Sequence, residues 1–125
     1  MPEKLLVLVI EDEELIQNLI KRTLKRFGLS TIAAYTLDEA RKLFDKHSQD
    51  LLLIVLDGSL VTDNDTVPLA QEFCTKFDRP MVAISGNKES NNLLMNAGCT
   101  HHGPKPYDVI PAILNAVRLA QKFQS

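Results

Sequence analysis

The chain has 125 residues, 45% hydrophobic and 24% charged, a balance that speaks for a soluble globular chain rather than a disordered one and leaves room for one core. Its net charge of −2 and pI near 5.9 argue against a broad nucleic-acid-binding surface, and Lys21, Arg22, Lys25 and Arg26 read as the solvated face of a helix. No signal peptide opens the chain and the first apolar run, residues 5–10, is far too short to span a bilayer, so the expectation is a cytoplasmic protein without membrane contact.

In chain order, two kinds of segment alternate. Residues 4–10 (KLLVLVI) form a continuous aliphatic run of strand length, which suits a strand buried on both faces of a parallel sheet. Leu15, Ile16, Leu19, Ile20, Leu24 and Phe27 then recur at helical spacing, with Gly28 where a C-terminal cap belongs. Residues 31–35 (TIAAY) make a second short strand. Thr36 and Glu39 have the spacing of a capping box and open a helix through Ala40, Leu43, Phe44 and His47. Residues 51–56 (LLLIVL) are the most apolar strand in the chain. A polar stretch at 62–66 leads to a third helix over 69–77, ended by Asp78-Arg79-Pro80. Residues 81–84 (MVAI) are a fourth strand, and 88–97 a polar helix ended by Gly98. A weak fifth strand falls at 100–103. The last helix starts near Asp108 with Pro111 in its first turn, where the missing N–H does little harm. Cys74 and Cys99 lack metal or redox spacing and sit among apolar neighbours, so both read as small core residues without a disulfide. His101 and His102 are adjacent in a strand and point to opposite faces, which argues against a shared zinc ion; one of them could act as a pH-sensitive switch.

Five β-α units in succession imply a parallel sheet covered by helices on both faces. In such sheets the site lies beyond the carboxyl ends of the strands. The strand ends deliver Glu11, Asp12, Glu13 and Glu14, then Tyr35 and Thr36, then Asp57, Gly58 and Ser59, then Ser85 and Gly86, then Pro104, Lys105 and Pro106. Clustered carboxylates repel one another unless a divalent cation sits among them, and all-oxygen ligation favours magnesium. A lysine opposite the acids suits a negatively charged group, and the serine can hydrogen-bond a further oxygen of it. These parts fit phosphoryl transfer, which is mostly positioning and charge neutralisation. Asp57, at the end of the most apolar strand, is the natural nucleophile.

The motifs VLVIEDE, LLLIVLDGSL, MVAISG and PKP resemble, in kind, order and spacing, the receiver domain of the response regulators of two-component signalling, over essentially the whole chain. The resemblance implies a flavodoxin-like (βα)5 three-layer sandwich whose parallel five-stranded sheet has the order 2-1-3-4-5, one receiver domain over residues 1–125 with no output domain. It implies that Asp57 accepts a phosphoryl group from a histidine kinase, a histidine phosphotransfer protein or a small phosphodonor. Asp12, Asp57 and the backbone carbonyl of Ser59 would ligate Mg2+, with Glu11 acting through water. Ser85 and Lys105 would contact the phosphoryl group, Ser85 and His102 would form the switch, Ser59 and Asn87 would tune dephosphorylation, and the bond before Pro106 would be cis. The implied partners are the phosphodonor protein and a downstream protein target, with no DNA and at most a weak homodimer; catalysis would be limited to the chain's own phosphorylation and dephosphorylation.

The sequence departs from the family pattern at several points. Glu11 replaces the commoner aspartate, and His102 stands where the family has a rotating aromatic. Gly103-Pro104 replaces two apolar strand residues, and residues 61–65 lack the usual proline and glycine, so that loop and the fifth strand are expected to be irregular. These departures motivate an alternative, a degenerate receiver that serves as a phosphorylation-independent interaction scaffold. An enzyme on the same kind of sheet is disfavoured by the lack of a phosphate-cradling glycine loop and of a nucleophile–base pair.

Overall fold

The structure, a computed structural model, describes residues 4–58, 66–105 and 107–122. The elements alternate as β1 (Leu6–Ile10), α1 (Glu14–Lys25), β2 (Ser30–Ala34), α2 (Leu37–His47), β3 (Leu51–Leu56), α3 (Thr66–Cys74), β4 (Met81–Ala83), α4 (Lys88–Ala97), β5 (His101–His102) and α5 (Val109–Lys122). The strands form one parallel sheet in the order β2-β1-β3-β4-β5, the flavodoxin-like α/β arrangement.

β3 is the spine because all six of its side chains are buried. An unbroken aliphatic run can face a helical layer on both sides, and each such side chain contributes about 1.5–3 kcal/mol through burial. Alternate residues divide between two cores. Leu8, Ile10, Ile54 and Leu56 pack with Ala40 and Phe44 of α2, Leu69 and Phe73 of α3 and Leu94 of α4. Val7, Val9, Leu53 and Val55 pack with Ile20 and Leu24 of α1 and Ile113 and Ala116 of α5. Phe44 stacks on Phe73 at 4.2 Å between ring centroids and meets the edge of Phe77 at 6.1 Å.

Local chemistry sets the element ends. Thr36 caps α2 by accepting from the Glu39 N–H at 3.1 Å, while the Glu39 carboxylate accepts from the Tyr35 N–H. Asn87 caps α4 by accepting from the N–H groups of Glu89 and Ser90. After α1, Gly28 takes φ +77°, and the Leu29 N–H returns to the Leu24 carbonyl at 3.0 Å.

Two expectations are corrected, for the third helix and for Cys74, and the first helix buries a different face from its apolar pattern. The third helix, expected over 69–77, is three residues earlier: Pro68 is tolerated in a first turn, whose N–H has no helical partner, and Lys76 closes a tighter turn onto Phe73 after the helix ends. Phe77 is buried, but from that turn. On α1 the buried residues are Gln17, Ile20 and Leu24, whereas Leu15 is 83% exposed and Leu19 and Phe27 are also exposed. Cys74 is exposed rather than a core residue; Cys99 is buried, and burial, with Cys74 nearby, pushes its thiol up to about 12.

The fifth strand has only two paired residues, His101 with Val82 and His102 with Ala83. Gly103 prolongs the ladder through its N–H to the Ala83 carbonyl at 2.8 Å. It lies so close to the start of α5 that a Cβ there would meet the Asp108 carbonyl oxygen and come within 2.6 Å of the Ala112 Cβ. Gly103→Ala should therefore lower stability by about 2 kcal/mol or more through overpacking. Gly28→Ala meets no atom within 4 Å and should lose only about 1–2 kcal/mol from its left-handed backbone. Urea unfolding of the two variants beside the parent checks the order; equal losses would show that the tight approach at Gly103 relaxes freely.

Candidate functional site

The sheet ladder runs past the strand ends and places the acids side by side. The Glu11 N–H donates to the Ala34 carbonyl and the Asp57 N–H to the Ile10 carbonyl, each at 3.0 Å. Glu11 and Asp57 thus leave adjacent strands at the same level, and both are buried. Gly58 lets this edge close on α4, since a Cβ there would lie 2.9 Å from the Ser90 Cβ.

Lys105 reaches across the edge. Its ammonium donates to Glu11 Oε1 at 2.7 Å, Asp57 Oδ2 at 3.0 Å and Glu13 Oε1 at 3.1 Å. Glu11, Asp12, Glu13 and Asp57 each offer a carboxylate oxygen, and these oxygens lie within 4.8 Å of one another. The structure thus brings together Glu11, Asp12, Asp57 and Lys105, and adds Glu13, which the sequence places at the same strand end without a role.

Ser85 is buried in the neighbouring turn, where its Oγ accepts from the Asn87 N–H at 3.1 Å. Gly86 borders the Lys105 stem, as a Cβ there would lie 3.8 Å from the Lys105 Cβ. His102 is exposed on β5, and His101 is half-buried with Nδ1 2.8 Å from Thr100 Oγ1. Burial lowers the His101 pKa. Asn87 stands at the α4 cap with its side-chain oxygen turned onto the helix. Ser59 and Pro106, expected as a ligand and as a cis-peptide, and the loop over 61–65 lie outside the described residues.

Two buried amides support this edge, and neither stands out in the sequence. Gln17 Nε2 lies 2.9 Å from the Val9 carbonyl and 3.0 Å from that of Glu11, which anchors α1 behind the acids. Asn91 accepts from the Ser85 N–H at 2.9 Å and donates to the Ser85 carbonyl at 2.8 Å. Amides on helices read as solvated; a polar residue at a position spaced with the apolar ones (Gln17 with Ile20 and Leu24) is the one available signal.

No protein-family model matches the chain. The curated Protein PetR of Rhodobacter capsulatus is 27% identical over 104 residues, which are 82% of this chain and 43% of PetR, so the chain spans less than half of that relative. A response regulator protein from Burkholderia pseudomallei, solved with a phosphorylated aspartic acid, a calcium ion and citrate, is 26% identical with a TM-score of 0.76, over 95% of this chain and 70% of that one. A response regulator receiver protein from Pseudoalteromonas atlantica superposes with a TM-score of 0.81 over 96% of this chain and 99% of that one at 10% identity, a likeness of fold alone. The chain has the fold of a response regulator receiver domain. No helix among the described residues is long and apolar enough to cross a membrane.

The donor set of the acidic edge suits a hard divalent cation. Among the described residues, Glu11 Oε2 is buried without a hydrogen-bond partner, and the Lys105 ammonium is shared by three carboxylates, so a further positive charge suits the site. The imbalance also bears on the protonation of the two buried partners. Burial first, and then the hydrogen bond and charge of Asp57, push Glu11 from 4.5 up to about 8, against the pull of Lys105. Burial works against the Lys105 ammonium, but its bonds to Glu11 and Asp57 outweigh that and raise its pKa.

A carboxyl raised in the folded state binds a proton that the unfolded chain has already released. Its contribution to stability is complete below pH 4.5 and disappears as pH rises to about 8. The metal-free domain should therefore lose stability between those limits, with a slope no steeper than about 1.4 kcal/mol per pH unit. Urea unfolding across this window in the presence of a chelator is the check, and Glu11→Gln should flatten the slope. An unchanged slope in that variant would place the titration elsewhere.

Proposed function

We propose that this receiver domain is a phosphorylation-regulated signalling module in which Asp57 accepts a phosphoryl group from a histidine kinase or histidine phosphotransfer protein. The observation that supports it best is the Lys105 ammonium seated between Asp57 and Glu11 inside the acidic cluster. An Asp57 carboxylate oxygen bonds to phosphorus as the bond from phosphorus to the donor's imidazole nitrogen breaks. The electron pair stays on that nitrogen, which takes a proton from solvent. Lys105 would hold a phosphoryl oxygen as a point charge, and Ser85 would hydrogen-bond another.

Mg2+ is the cofactor this reading assigns. Asp12, Asp57 and the Ser59 backbone carbonyl would hold it, with Glu11 acting through water, and when bound it neutralises charge on the phosphoryl oxygens. Ser59 and Asn87 would set the phosphoryl lifetime. The domain's chemistry would end with its own phosphorylation and dephosphorylation. Output would pass to a partner protein through a population shift around Ser85, β5 and His102, or the phosphoryl group would move on to another histidine.

Acetyl phosphate with Mg2+, followed by intact mass, tests this directly. One added phosphoryl group is expected, absent in Asp57→Ala and in the presence of EDTA. No adduct at any time would favour the phosphorylation-independent scaffold instead.

A further inference from the structure

An ammonium has three N–H bonds, and three carboxylates take those of Lys105. A phosphoryl oxygen can bind it well only if one of them lets go. Glu11 and Asp57 are poor candidates, because both are buried and solvent is not at hand to replace a charge-assisted bond that either gives up. Glu13 differs. Its side chain is 58% exposed, so water can replace the ammonium at little cost. Its backbone is held separately, with its N–H 3.3 Å from Glu11 Oε1 and its carbonyl accepting from the Gln17 N–H, so the side chain can swing away without disturbing the edge.

We propose that Glu13 is a positioning residue that competes with the incoming phosphoryl group for Lys105, and so raises the concentration of anionic donor needed to load Asp57. The proposal rests on the reading of Asp57 as the phospho-acceptor. Glu13 acts twice in the same direction. It occupies one Lys105 donor, and it holds a negative charge at the exposed mouth of the site, where a dianionic donor must enter. The second effect is screened by salt, because Glu13 faces solvent.

Acetyl phosphate is the probe. An Asp57 oxygen bonds to phosphorus, the phosphorus–oxygen bond to the acetyl group breaks, and its electron pair leaves on acetate, with no further reactant. Phosphorylation rates are measured against donor concentration, at saturating Mg2+, for the parent chain, Glu13→Gln and Glu13→Asp. In Glu13→Gln the half-saturating donor concentration should fall about two- to fivefold, the scale of one exposed ion pair, with the maximal rate unchanged. The gain should shrink at high salt. Glu13→Asp, which keeps the charge but is one methylene shorter, should fall between. Calorimetric titration with Mg2+ should show only a small loss of affinity in Glu13→Gln, one that disappears at high salt, and none in Glu13→Asp.

Equal donor dependence across the three chains overturns the role of Glu13 while leaving Asp57 as acceptor. A slower maximal rate in Glu13→Gln overturns it too, since Glu13 would then be aligning Lys105 for transfer. A loss of Mg2+ affinity in that variant that persists at high salt reassigns Glu13 to the metal. No adduct on the parent chain removes the acceptor reading and this proposal together.

Discussion

One ammonium stands among three carboxylates at the carboxyl edge of the sheet, and two of those carboxylates are buried. Such a group is expensive to assemble, because taking charges out of water is repaid only by close, well-directed partners. The Lys105 distances of 2.7–3.1 Å meet that demand. They do so because β1 and β3 are neighbours in the sheet, with Asp57 bonded back to Ile10 of β1 and Glu11 to Ala34 of β2. A fold that separated these strands would leave two buried acids apart, each needing its own counter-charge. The strand order is therefore part of the electrostatics as well as of the packing.

The edge is held from behind by amides rather than by charges. Gln17 ties α1 to carbonyls of β1 near its end, and Asn91 ties α4 to the Ser85 backbone by a donor and an acceptor at once. Neutral amides satisfy buried backbone groups without adding to an acidic cluster already short of positive charge. The Asn91 pair has a further consequence. Ser85 and α4 cannot move independently unless two buried hydrogen bonds break, so a displacement of the Ser85 turn is mechanically shared with that helix. Nothing in this link passes through His102.

Much of this was legible in the sequence where a single local rule dominated. β3 is an uninterrupted aliphatic run and begins and ends where that run does. α4 lies between Asn87 and Gly98, a good N-cap and a residue with φ +130°, and its limits follow. The site acids and Lys105 were legible because strand ends converge in a parallel sheet. The start of α3 was hidden because Pro68 reads as a breaker until it is placed in a first turn. The inward face of α1 was hidden because Leu15 and Leu19 outweigh Gln17 in apolar periodicity, although the buried backbone of β1 needs a donor there. Glu13 was visible as a charge but not as a partner, since the reach of Lys105 depends on a turn far away in the sequence.

That turn connects the departures of the fifth strand to the site. β5 pairs through only two residues, which by itself would hold the following turn loosely. Gly103 compensates by proximity: with no side chain, it keeps its ladder bond to Ala83 and still lets the start of α5 come against it. Lys105 follows two residues later. Its ammonium must arrive within about 3 Å of three oxygens, a tolerance typical of charge-assisted hydrogen bonds. A larger residue at 103 would push the β5–α5 turn outward, and the lysine with it. The glycine that makes the fifth strand weak in sequence is thus what allows a short, sparsely paired strand to deliver the Lys105 ammonium to the acidic edge.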